Sequence, residues 1–347
     1  MISKQKPEKI LIFRHGSVGD TVVALPCFHL IARVFPEAER RLLTTISPDE
    51  NAAPVSAALE HAGLVHRYMT YPVGSCNFTK LFELREEIKK WAPEILIYLA
   101  EPRSPWSAWR DALFFKLCGI KKLVGVPYTK TLRENYWLPE KKSFEYESKR
   151  LVRCLETLGD ISLDDSASWD LRLTKEEEAH ASRNLEGWKA RGNFIACNVS
   201  AKVKAKDWGK ENWRDLFHRL SQTYPDLGIV MIGARAGAEQ SEAIARAWRG
   251  PTLNLCGKLT LRESVAVMKR AIFYLGHDSG PMHLAASVGI PCVALFVASS
   301  KPGVWCPDGN DHQVIHHQKN GRQVSSITVD EVFKVTQKMI EKESVKQ

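Results

Sequence analysis

Residues 276–286 read Gly276-His-Asp-Ser-Gly-Pro-Met-His283-Leu-Ala-Ala286. The stretch ahead of them, Ile272 to Gly276, is apolar and of strand length, and Pro281 to Val288 has the composition of a buried helix. Asp278, Ser279 and Gly280 therefore form a loop between strand and helix. Pro281 falls in the first helical turn, where its missing N–H costs nothing. Such a junction turns backbone amides and the positive end of a helix toward a ligand, which suits a diphosphate. A plainer reading keeps Asp278 or Ser279 as a helix cap and His283 as a core histidine.

The pattern repeats outward from this point. Cys292 to Phe296 is the next strand, and upstream come strands Gly228 to Ile232 and Phe194 to Val199. Helices are predicted over Thr174 to Arg191, Trp213 to Tyr224, Ala238 to Trp248 and Leu261 to Lys269, the first with Thr174 and Glu177 at capping-box spacing. The first half follows the same rhythm: strand Lys9 to Phe13, helix Thr21 to Phe35, strand Arg41 to Thr45, helix Glu83 to Trp91, then strands Glu94 to Leu99 and Leu123 to Val126. Alternation of this kind means βαβ units and parallel sheets. With 347 residues and roughly 150 per domain, two α/β domains are expected. The polar run Asp160 to Asp170 reads as the linker. Residues 1–170 form the first domain and 171–327 the second, and in 328–347 the amphipathic helix Val329 to Glu343 is free to pack back on the first. A ligand cleft between the lobes, at the carboxyl ends of the strands, follows from this architecture.

Composition excludes several classes. Hydrophobic residues make up 44% and charged residues 26%, ordinary for a soluble globular chain. No apolar run reaches the roughly 18 residues of a membrane span, and Ile10 to Phe13 is too short for a signal peptide core, so a cytoplasmic location is expected. The eight cysteines include no Cys-x-x-Cys pair, which favours buried thiols over zinc or disulfides. The net charge is +9, and between Arg103 and Arg153 stand 12 basic residues against 5 acids, a surplus of +7. Such a stretch is either a solvated basic face or a surface for an acidic ligand or a phosphorylated lipid surface; no motif supports nucleic acid.

Two further stretches carry chemistry. In Arg14-His-Gly-Ser-Val-Gly-Asp20, Gly16 and Gly19 allow a tight turn and close ligand approach, and Asp20 stands at the expected helix start. It is either an N-cap or a carboxylate displayed as a general base. The spacing Gly16-x-x-Gly19 lacks the Gly-x-Gly-x-x-Gly of a dinucleotide site, which removes the main support for a dehydrogenase. In Ser200-Ala-Lys202-Val-Lys204-Ala-Lys206-Asp-Trp208, leading on to Trp213, spaced lysines follow a strand: they are either solvated surface residues or face the cleft mouth, where a lysine can stabilise a departing diphosphate without a metal.

Taken together, Arg14 to Asp20, the Lys-x-Trp pattern of Lys206 to Trp213, Asn254 to Thr260 and above all Asp278 to Ala286 resemble the family 9 glycosyltransferases, the lipopolysaccharide heptosyltransferases. The resemblance implies a GT-B fold of two Rossmann-like lobes, with Asp20 as general base and Lys206 beside the donor phosphates. Asp278, Ser279 and Gly280 become the donor loop, with Ser200, Lys202, Glu239 and His283 as further donor contacts. Gly16, Ser17 and Gly19, with the basic residues Arg103, Arg110, Lys121, Lys122 and Lys130, fall to the acceptor. It further implies inverting transfer from a nucleotide sugar, commonly ADP-heptose, to a lipopolysaccharide or lipid A-core acceptor, with no cofactor and no metal. An anionic membrane surface on the inner face of the inner membrane is the implied setting. The chain departs from the family pattern at His15-Gly16, at Ala201-Lys202 and at Arg235. Two alternatives stay open: a nucleotide-sugar epimerase of the same fold, which needs no acceptor, and a two-lobed binding protein without catalysis.

Overall fold

The computed structural model describes residues 7–45, 53–71, 78–101, 104–188, 192–297, 300–309, 311–316 and 323–345. Two compact units divide the chain, Met1–Arg172 and Leu173–Gln347.

The first unit holds strands β1 (Lys9–Phe13), β2 (Glu39–Thr45), β3 (Arg67–Tyr71), β4 (Ile95–Tyr98) and β5 (Lys122–Val124), and a short hairpin, β6 (Trp137–Leu138) and β7 (Ser143–Phe144). Its helices are α1 (Val18–Val23), α2 (Leu25–Val34), α3 (Ser56–Leu59), α4 (Phe78–Trp91), α5 (Pro105–Leu117), α6 (Lys130–Arg133) and α7 (Glu147–Cys154). The main sheet has the order β3-β2-β1-β4-β5, with every pair parallel. Ile10 to Phe13 and Ile95 to Tyr98 are buried on both sides, which is why they are unbroken apolar runs. Leu84, Ile88 and Trp91 of α4, with Ala108, Ala112 and Phe115 of α5, pack in one core with Phe13, Leu96 and Tyr98.

The second unit holds β8 (Phe194–Asn198), β9 (Gly228–Met231), β10 (Thr252–Asn254), β11 (Tyr274–His277), β12 (Cys292–Phe296) and β13 (Gln313–His316). Its helices are α8 (Lys175–Asn184), α9 (Lys210–Thr223), α10 (Ala238–Ala245), α11 (Leu261–Met268), α12 (Gly280–Ser287) and α13 (Val329–Ser344). The sheet order is β10-β9-β8-β11-β12-β13, again all parallel. In each unit the chain moves one way from the first strand and the other way from the fourth. The reversal lies between β1 and β4 in the first unit and between β8 and β11 in the second, where open α/β sheets bind ligands.

Several expectations need correction. Helix α1 begins at Val18 with Ser17 as its N-cap, ahead of the expected start, because serine caps as well as aspartate does. The run Asp160 to Asp170 is packed structure and no plain linker. Arg33 donates to Asp160 O (2.5 Å), the His29 ring meets Asp170 O (2.8 Å), and Ser166–Trp169 forms a 3₁₀ turn. Val332, Met339 and Ile340 of α13 lie in the core of the second unit. Among the cysteines, 27, 118, 154, 197, 256 and 292 are buried free thiols and Cys306 is half-buried, with burial pushing the Cys118 and Cys306 thiols up to about 11. Cys76 lies outside the described residues. No described helix is long and apolar enough to cross a membrane.

Trp208 and Trp213 are fully buried and meet edge to face at 4.8 Å. The Trp208 indole N–H donates to Ile327 O at 2.7 Å. Trp208→Ala leaves a cavity and an unpaired carbonyl, and should cost about 3–5 kcal/mol, read as a lowered denaturant midpoint at unchanged slope.

Candidate active site

In the first unit the sharp turn after β1 is made by Gly16, whose φ is +131°. A Cβ there would stand 2.6 Å from Asp20 Oδ2. Ser17 and Asp20 close a capping box: Asp20 Oδ2 accepts from the Ser17 N–H, and Ser17 Oγ accepts from the Asp20 N–H at 3.4 Å. Asp20 is thus a reciprocal cap at the third helical position, and its Oδ1 accepts no hydrogen bond among the described residues. Gly19 is buried beneath this turn and Ser17 is exposed.

Arg14, almost wholly buried, fixes the turn against the neighbouring strand. Its Nη1 donates to Leu99 O (2.5 Å) and its Nη2 to Asp20 O (2.6 Å). One guanidinium therefore ties the end of β4 to the first turn of α1. Two residues on, Glu101 keeps an open face, yet desolvation and then the charges of Glu147 and Asp20 hold its carboxyl above the ordinary range. Neither Arg14 as a tie nor Glu101 as a second carboxylate was singled out in the sequence. The position of Glu101, just past a central strand and beside the strand-order reversal, is the signal that points to it.

The basic residues do not act as one group. Lys122 pairs in register with Ile95, whereas Phe13 pairs with Tyr98. Three strand residues, about 10 Å, therefore separate the Lys122 level from the end of the sheet where Asp20 lies, and Lys121 is further off. Those two lysines stand at the amino ends of the strands, whereas Asp20 follows the carboxyl end of β1. Arg110 holds Asp111 at 2.7 Å, and Lys130 lies exposed 3.7 Å from Glu134. Arg150 and Arg153 are spent on Glu147 and Glu145 inside the unit. Arg103 lies outside the described residues.

In the second unit the loops after β8 and β11 meet directly. Lys206 Nζ contacts Asp278 Oδ2 at 2.6 Å and Asp278 O at 3.2 Å. The lysine is about one-third exposed and the aspartate buried. The lysine loop is pinned from below, because the Trp208 N–H donates to His277 Nε2 at 3.2 Å and the Trp213 ring meets the His277 ring at 5.3 Å. Burial lowers the His277 pKa to about 4, so the ring stays a neutral acceptor.

Ser279 is the N-cap of α12 but makes no side-chain cap bond; its hydroxyl turns back to His277 O at 3.3 Å. Pro281 is in the first turn. The positive end of α12, starting at Gly280, is therefore not quenched by its own cap and stands beside the Lys206 ammonium. Gly276 is required beneath it, since a Cβ would meet Tyr274 Oη at 2.4 Å and Asn198 O at 2.8 Å. Ser200 packs against the loop after β9, where a Cβ on Gly237 would come within 3.1 Å of its Oγ. His283 is buried in α12, while Lys202 and Glu239 are exposed. A lysine beside a helix N-terminus is an arrangement that can stabilise an anion such as a diphosphate.

The family model of glycosyltransferase family 9 (heptosyltransferase) matches residues 107–330, well over half of the chain. The chain belongs to glycosyltransferase family 9. The family match takes in Lys206 and Asp278 and begins after Asp20. The lipopolysaccharide core heptosyltransferase OpsX of Haemophilus influenzae is 24% identical over 156 residues, covering 45% of this chain and 44% of that protein, so the alignment spans under half of that relative. Among solved structures, a family 9 glycosyl transferase from Veillonella parvula superposes with a TM-score of 0.71 at 18% identity, over 96% of this chain and 98% of that one. Escherichia coli ADP-heptose lipopolysaccharide heptosyltransferase II follows with 0.64 at 18% identity, over 97% and 99%. The fold is that of the GT-B members of family 9.

Gly16→Ala forces both a strained φ and a clash with the Asp20 carboxylate, and should destabilise by roughly 1–3 kcal/mol, with a lower melting temperature as the readout. His277 gives a pH signature. Its folded pKa, about 4, is below the unfolded value of 6.5, so the unfolded state binds the extra proton between those values and stability rises with pH. This contribution is complete above pH 6.5 and is lost as the pH falls toward 4. In His277→Gln, the loss of stability between pH 6.5 and 4 should be smaller than in the parent protein, as measured by denaturant titration.

Proposed function

We propose that this chain is an inverting glycosyltransferase that moves a heptose from ADP-heptose to the inner core of a lipopolysaccharide acceptor, without a metal ion. The observation that carries the reading is the Lys206–Asp278 pair at the N-terminus of α12, within the stretch that matches family 9. The nucleotide sugar belongs to the second unit and the acceptor to the first. Relatives named as heptosyltransferases support the sugar and the acceptor class.

In this reading an acceptor hydroxyl attacks the anomeric carbon as the C–O bond to the diphosphate breaks. Asp20 Oδ1 takes the hydroxyl proton, while Oδ2 stays on the Ser17 amide and fixes the carboxylate plane. The departing diphosphate gathers charge, which Lys206 and the amide end of α12 neutralise. Asp278 aims the lysine through its carboxylate and its carbonyl. Lysine and helix dipole together supply the role a divalent ion plays elsewhere. A lipid-anchored acceptor places the enzyme at the inner face of the membrane.

Asp20→Asn tests the base, since the amide oxygen keeps the capping contact and the proton acceptor is lost. Turnover should fall about 10²- to 10⁴-fold with the dissociation constant for ADP-heptose unchanged, measured by ADP release and by calorimetry. Wild-type turnover for Asp20→Asn would return Asp20 to helix capping alone. Lys206→Ala should lower both turnover and donor affinity, and transfer should continue in EDTA. Strict dependence on added Mg²⁺ or Mn²⁺ would remove the metal-free mechanism, and conversion of the nucleotide sugar into its epimer without any acceptor would favour epimerase chemistry.

A further inference from the structure

Helix α5 is apolar on two faces. Ala108, Ala112 and Phe115 are buried in the core of the first unit. On the outside, Trp106, Trp109, Leu113 and Leu117 follow at i, i+3, i+7 and i+11, and they are 84, 58, 60 and 58% exposed. The adjacent helix α4, bound to α5 by Arg85 Nε to Leu117 O at 3.2 Å, adds Phe78 and Phe82, one turn apart and exposed. A helix on the surface of a soluble domain ordinarily turns its polar side to water. Clustered large apolar side chains in water mark an interaction surface.

The charge around the stripe is one-sided. Between Ser104 and Lys122 there are four basic residues, Arg110, Lys116, Lys121 and Lys122, against the single acid Asp111. Asp111 is buried and holds Tyr98 Oη at 3.0 Å and Arg110 at 2.7 Å, so it offers little negative charge outward. On α4 the acids Glu83, Glu86 and Glu87 are balanced by Lys80, Arg85, Lys89 and Lys90, with Arg85 at 2.6 Å and Lys89 at 3.5 Å from Glu86. Trp109 is held ready by its ring contact with Tyr128, 4.6 Å between centroids.

We propose that the outer face of α5, with the start of α4, is a docking surface for an anionic phospholipid bilayer. Tryptophan carries an apolar body with a polar N–H and settles at the headgroup level. Leu113 and Leu117 reach below it. Lysines at the rim keep their stems on the apolar surface and their ammonium groups on lipid phosphates. A second copy of the chain is the poorer occupant, because its own stripe is bordered by the same basic surplus and brings no acidic surface to meet Lys116, Lys121 and Lys122. The choice of a bilayer rests on the proposed function in one respect only, that a lipid-anchored acceptor lies there. Trp106 is five residues beyond Glu101, so the stripe begins at the end of the sheet that carries Asp20.

Binding is measured on the full chain with neither donor nor acceptor present, so its outcome is separate from that of the transfer assay. Vesicles of phosphatidylcholine with phosphatidylglycerol should co-sediment the protein, and phosphatidylcholine alone should do so far less. Trp106→Ser with Leu113→Ser should lower the partition coefficient by about tenfold or more, with donor affinity unchanged. Lys116→Glu with Lys121→Glu should lower it as well and flatten its salt dependence. In the unaltered protein, phosphatidylglycerol with brominated acyl chains should quench tryptophan fluorescence, which needs no variant to fold. Equal binding by the Trp106/Leu113 variant, no binding of wild type to anionic vesicles, or a stable dimer that the same variant dissolves would each overturn the proposal.

Discussion

Everything in this chain depends on where two parallel sheets reverse their strand order. A parallel strand can deliver a loop to only one end of its sheet, and neighbouring loops normally fold away over the same helix layer. At β1/β4 and at β8/β11 the chain departs in opposite directions, so the two loops separate and expose backbone amides and carbonyls that need partners. The first unit meets that need with Arg14, which bonds the β4 end and the α1 turn together. The second meets it with Lys206, which bonds to the main chain and side chain of Asp278. Each reversal is thus bridged by one cation.

The two cations differ in how they are held. Arg14 is buried and both of its Nη atoms donate to carbonyls, as suits a planar fork. Lys206 is a point charge on a flexible stem, and it remains partly exposed. Its position is fixed by the aromatic floor beneath it, where Trp208, Trp213 and His277 interlock. The Lys-x-Trp spacing has a physical reason: one residue reaches Asp278 across the loops and the indole two positions on serves the core. A neutral His277 is part of the same device, since a protonated ring could not accept the Trp208 amide.

Much of this was legible in the sequence. Buried strands such as β1, β4, β8 and β12 are unbroken apolar runs, and the Thr174–Glu177 capping box appears at the predicted spacing. Asp278, Lys206 and the α12 turn are brought together as their positions at strand ends require. What was missed has no such signal. Strands β3, β10 and β13 are half-exposed sheet strands with mixed composition, and period-two alternation is weak over three to five residues. Helix α5 escaped because it is apolar on both faces and lacks the one-sided stripe that reveals a helix. The lysines of the basic stretch were grouped by proximity along the chain, whereas a strand and its preceding turn carry Lys121 and Lys122 toward the opposite end of the sheet from Asp20.

The hydrogen bond from the Trp208 indole to Ile327 O has a consequence for the newly made chain. Ile327 is 121 residues beyond Lys206, and the core that covers Trp208 includes Val332, Met339 and Ile340. While the ribosome is still adding those residues, the first unit already has all of its strands, but the lysine loop lacks both its anchor and its cover. The first unit can fold during synthesis. The Lys206–Asp278 loop pair is assembled only in the last stage of translation, so a chain stalled before residue 327 carries a formed first unit and a lysine loop without its anchor.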